Sequence, residues 1–77
     1  MKLVVMQTLK EYKKTFSEAT KKLVSLTKEY SEADILELAV ILEMSVSTVR
    51  SYRTGKGTNL ETTLTIIEAV EKRNNKL

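Results

Sequence analysis

The stretch Asp34–Arg53, DILELAVILEMSVSTVRSYR, leaves this chain few ways to fold. Its apolar residues recur at helical spacing on both sides of a Glu43-Met44-Ser45 break, which fits two short helices packed across a tight turn. Asp34 is read as the start of the first helix: its carboxylate caps free N–H groups, and Glu37 three residues on returns the bond. Leu38 and Leu42, with Val49 and Tyr52 beyond the turn, face both helices toward one interior. Ala39 is small where the two axes must come close. Met44 plugs the underside of the corner, and Ser45 is an N-cap for a second helix through Arg53. The pattern of residues 34–53 reads as a helix-turn-helix.

The rest of the chain supplies helices to cover it. From about Thr8 to Tyr30, Leu9, Tyr12, Phe16, Ala19, Leu23, Leu26 and Tyr30 alternate steps of three and four, the stripe of an amphipathic helix. Ser17 is an alternative N-cap in mid-stretch that would divide this segment into two shorter helices. The part upstream of Phe16 is either a simple extension or, through Leu9 and Tyr12, a seam continued into a second subunit. Asn59 caps a last helix, Leu60 to about Lys72, with Leu64, Ile67 and Val70 as its core stripe and Ile66 nearby. Residues 73–77 form a polar, basic tail expected to fray, and Met1–Gln7 shows no clear period. The expected fold class is therefore all-α: one small four-helix domain, residues 1–77, with an extended N-terminal helix.

Composition removes most chemistry. With neither cysteine nor histidine, the chain has no disulfide, no thiolate, no usual zinc cluster and no imidazole base. No nucleophile, base and orienting group come together at a meaningful spacing, so no enzyme, cofactor, metal or small-molecule substrate is expected. A chain of 77 residues buries little surface, for which a dimer is a natural remedy. The opening MKLVVM is far shorter than the apolar core of a signal peptide or a membrane span, which points to an intracellular, cytoplasmic location without a membrane partner. The net charge of +3 is unevenly placed: +3 over residues 1–33, −1 over 34–54 and +1 over 55–77. The motif itself is not basic. A phosphate-binding surface would have to be assembled from Lys56, the arginines of the second motif helix and lysines of the flanking segments. Lys10, Lys13, Lys14, Lys21, Lys22 and Lys28 surround the N-terminal helix as a solvated face or, alternatively, a phosphate-facing patch.

The run LAVILEMSVSTVRSYRTGKG, followed by LETTLTIIEAV, resembles the Cro/repressor-type (XRE-like) helix-turn-helix family of phage and bacterial transcriptional regulators. The resemblance covers about Ser17 to Val70. Leu38 and Ala39 match the family's Leu-Ala pair, Leu42 and Met44 flank its turn, Val49 and Tyr52 match its buried recognition-helix positions, and Gly55 and Lys56 match its Gly-Lys loop. Glu43 stands where the family usually has glycine, Ile35 where a polar residue often contacts a phosphate, and Val46 where a polar base reader is common. The resemblance implies a repressor-like regulator from a phage or bacterium that binds a roughly palindromic DNA operator as a homodimer.

On the helical wheel the side opposite Val49 and Tyr52 carries Val46, Ser47 and Arg50, with Ser51 and Thr54 at its edge. A recognition helix lies in the major groove with its N-terminal residues against base edges. Arg50 is the strongest reader, since a guanidinium bonds two acceptors of guanine; Ser47, Val46 and Ser51 complete the base-reading set. Ser45, Arg53, Thr54, Gly55, Lys56, Gly57, Thr58 and Asn59 are assigned to phosphates, where glycine lets a backbone approach closely. One feature stands apart. Leu36, Val40 and Ile41 make the first motif helix apolar almost all round, so that either the N-terminal helix covers it or it forms an exposed patch that binds a second copy or a different protein, apart from the dimer seam read at Leu9 and Tyr12. Flanked by Glu37 and Glu43, such a surface suits an alternative function: an antirepressor or modulator that binds another regulator protein's basic face.

Overall fold

A computed structural model describes residues 2–75, with side chains from Leu9 onward. It contains four helices and, among the described residues, no strand: α1 (Lys2–Leu26), α2 (Glu32–Leu42), α3 (Val46–Arg53) and α4 (Leu60–Asn75). The all-α architecture with a long first helix agrees with the sequence. Ser17 does not interrupt α1, which runs on upstream of Thr8 as one helix. Its downstream end lies earlier than Tyr30. Thr27, fully buried, turns its hydroxyl back to the Leu23 carbonyl at 2.8 Å, and the chain tightens through a turn to Tyr30, whose amide donates to the Thr27 carbonyl at 3.1 Å. Tyr30 thus leaves the α1 stripe, and its hydroxyl sits 3.0 Å from Asn74 Oδ1 on α4.

α2 begins before Asp34. Its N-cap is Ser31, whose hydroxyl accepts from the Asp34 amide at 3.3 Å while the Asp34 carboxylate accepts from the Ser31 amide at 2.9 Å. The capping box is Ser31 with Asp34, not Asp34 with Glu37. At the other end Glu43 adopts a left-handed conformation, φ 56° and ψ 40°. Its amide donates to Val40, and that of Met44 donates to Ala39 at 3.0 Å, the closure that usually takes glycine. α3 starts at Ser45, as expected, with the Thr48 amide donating to its hydroxyl at 3.1 Å. It ends on the same closure as α2: the Lys56 amide reaches the Ser51 carbonyl at 2.9 Å, with Gly55 at φ 88°. Asn59 caps α4 by accepting from the Thr62 amide at 3.0 Å.

Each helix contributes to one core: Ala19 and Leu23 of α1, Ile35, Leu38 and Ala39 of α2, Val49 of α3, and Ile66, Ile67 and Val70 of α4. Ala39 is buried in that core, in keeping with the need for a small residue where axes converge. Two expectations shift. Leu64 is exposed, because the packed face of α4 is Thr63, Ile66, Ile67 and Val70. Thr63 enters the core because its hydroxyl donates to the Asn59 carbonyl at 2.9 Å, which satisfies its polar atom within the helix. The tail beginning at Arg73 is not loose either, since α4 continues through Asn75; the last two residues lie outside the described range.

Candidate nucleic-acid interface

α3 stands against α2 with Val49 wholly buried, and this fixes which of its residues reach solvent. Ser47 and Arg50 are exposed, while Val46 and Ser51 are half-buried at the edges of the same face. The four expected base readers therefore lie on one side of α3. Arg50 is held there by Glu32 of the first turn of α2, which receives an ion pair from its Nη2; both side chains are more than half exposed. A pair this open to water contributes at most about 1 kcal/mol and exchanges readily.

The residues expected to meet phosphates divide into two groups. Lys56 and Thr58 are exposed in the loop after α3. Ser45, Thr54 and Asn59 already hold intramolecular bonds, Ser45 and Asn59 as N-caps and Thr54 through its hydroxyl, 3.0 Å from the carbonyls of Arg50 and Ser51. The Gly55 amide closes α3 on the Tyr52 carbonyl at 3.2 Å. Gly57 does give a close backbone approach, but the surface it approaches is internal: a Cβ there would lie 2.3 Å from the Tyr52 ring. Side-chain bulk at 57 would push that ring off its seat.

Arg53 points inward. Its Nη2 donates to the Thr27 carbonyl at 2.7 Å and the Tyr30 carbonyl at 3.4 Å, and its Nε is buried without a partner. α1 has no basic residue in its last turn, and Arg53 supplies the positive charge that a helix C-terminus favours. Nothing in the local sequence announces this, because the two segments meet only through the fold.

A second polar cluster has no counterpart in the sequence reading. Arg73 Nη2 lies 2.5 Å from Asp34 Oδ1 and 3.3 Å from Glu37 Oε2, with its guanidinium 5.1 Å above the centroid of the Tyr30 ring. The Asp34 carboxyl is held below the usual carboxylate range by the Ser31 amide that donates to it, and further by Arg73. The sequence signal for half of this was present as Ser31-x-x-Asp34. The Arg73 half had none.

Two apolar surfaces stay outside the core. Leu36, Val40 and Ile41 on α2 are 48%, 77% and 57% exposed, so α1 does not cover them; Leu9 and Tyr12 on α1 are 56% and 45% exposed. Among the described residues no group of three acidic side chains could hold a metal ion, and no helix is long and apolar enough to cross a membrane. Compared with known protein families, with curated proteins and with solved structures, the chain matches none of them.

Proposed function

We propose that this chain is a sequence-specific, repressor-like DNA-binding regulator that acts as a homodimer with α3 in the major groove. The observation that carries the reading is the outer face of α3: with Val49 turned to the core, Ser47 and Arg50 stand in solvent beside the exposed Lys56–Thr58 loop. In this arrangement Arg50 leaves Glu32 and donates two bonds to a guanine, Ser47 bonds a base or phosphate, and Val46 meets a thymine methyl. Lys56 and Thr58 hold phosphates and set the register. Arg53 is assigned to the fold and leaves the phosphate set.

The test is selection of bound sequences from a random duplex DNA pool near physiological salt, where non-specific attraction is suppressed. Enrichment of a motif with two-fold symmetry is expected. Failure of the folded protein to enrich any sequence would overturn the reading. A second reading is favoured by one observation, the exposed Leu36, Val40 and Ile41 beside Glu37 and Glu43. In that reading the chain modulates another regulator by covering its basic DNA-binding face, and pull-down with that regulator replaces DNA selection as the assay.

A further inference from the structure

Two apolar surfaces lack a covering element among the described residues, and their charges are opposite. On α1 the stripe that is buried at Leu23 and Ala19 continues upstream, at the same helical spacing, as Phe16, Tyr12 and Leu9. It passes out of the globule on the way: Phe16 is half-buried, and the Tyr12 ring stands edge-on to it with centroids 6.0 Å apart. On α2, Leu36 and Val40, four residues apart, share one outward face, and Ile41 is exposed further round the helix.

We propose that these surfaces bind each other between two copies of this chain, the α1 arm of each copy lying across α2 of the other in a reciprocal two-fold dimer. Charge decides among the possible pairings. Residues 9–14 carry Lys10, Lys13 and Lys14 against Glu11 alone, whereas α2 and its cap carry Glu32, Asp34, Glu37 and Glu43 and no basic residue. Arg50 partners Glu32, and Arg73 partners Asp34 and Glu37, while Glu43 stands exposed at the edge of the apolar patch. Arm against arm sets lysines against lysines, and α2 against α2 sets two rims against each other that stay net negative, with four acids to the two arginines that partner them and Glu43 exposed on each. The crossed pairing alone joins apolar surfaces whose rims attract. A single contact of this kind is small beside the roughly 800 Å² per partner of a standard interface, and reciprocal exchange makes it twice. This inference specifies the homodimer of the proposed function and does not depend on DNA binding.

The absence of cysteine makes the test direct. Leu9→Cys or Tyr12→Cys protein is mixed with Val40→Cys protein, without DNA, and oxidised mildly; a disulfide requires Cα atoms within about 7 Å. The expected result is a covalent dimer containing one chain of each kind, exceeding the dimer formed by any variant alone. In sedimentation, Leu9→Asp and Val40→Asp should each convert a dimer to a monomer with unchanged helical circular dichroism. Self-linking of the arm variants, or of Val40→Cys, in excess of the mixed product would overturn the crossed pairing and leave the homodimer standing. A wild-type chain that sediments as a monomer at micromolar concentration would overturn both. Sequence enrichment in the DNA selection is read independently of either result.

Discussion

Glu43 carries a burden that most residues at its position would not. A side chain with a Cβ at φ 56° crowds the following carbonyl, which is why the closure it makes after α2 normally takes glycine. Glu43→Gly should therefore stabilise the chain by about 1 kcal/mol, the relief of strain being offset in part by the entropy of glycine when unfolded. Urea unfolding measures this; a loss of stability would show that the Glu43 side chain makes a contact of greater worth. Asp34 sets a different dependence. Its folded pKa is depressed below the ordinary value of 3.8, first by the Ser31 amide and then by Arg73. The stabilisation is thus complete above the unfolded pKa and disappears as pH falls through the lower, folded value. Thermal unfolding should show wild type losing stability as pH drops below 3.8, with a shallower loss in Asp34→Asn. Equal slopes would mean that the carboxylate is no better held in the folded chain than in the unfolded one.

At the scale of the elements, α3 has two arginines with divergent tasks. Arg53 ties α3 to the end of α1 through the Thr27 and Tyr30 carbonyls. Arg53→Met should cost roughly 1–3 kcal/mol of stability, because part-buried acceptors lose their donor. Unchanged stability with weakened DNA binding would return Arg53 to the phosphate set. Arg50, one helical turn earlier and turned further toward solvent, is paired with an exposed glutamate. Arg50→Ala should leave stability nearly unchanged, lower operator affinity by ~1–3 kcal/mol and relax discrimination at one base position. Preference unaltered at every position would remove Arg50 from base reading. Sequence spacing separated Arg50 from the interior, since it lies opposite Val49 and Tyr52 on the wheel. It could not assign Arg53, whose partners come from a segment 23 and 26 residues away.

For the whole molecule, the net charge of +3 is modest for the DNA binding proposed above, and of the cations near α3 Arg50 is in an ion pair and Arg53 is turned to backbone carbonyls. Binding should consequently depend on few phosphate contacts. Lys56→Ala is expected to weaken binding almost uniformly across sequences and to reduce the slope of log affinity against log salt by about one. A changed sequence preference with an unchanged slope would contradict the phosphate role of Lys56. What the sequence by itself determined is local: the caps at Ser45 and Asn59, the small Ala39 at the α2–α3 crossing, the buried Val49 and the apolar stripe of α1 all follow from neighbours within a helical turn or two. Tertiary structure decided the rest. It ended α1 at Leu26 rather than Tyr30, moved the α4 face from Leu64 to Thr63 and Ile66, and drew Arg53 and Arg73 into the fold, whereas the Ser31 cap of α2 was a local signal, Ser31-x-x-Asp34, that the reading of Asp34 as the helix start passed over. The physical reason is reach. Capping and amphipathic spacing act over three or four residues and are written in order along the chain, whereas a guanidinium's partner or a helix's buried face depends on which distant segment packs beside it.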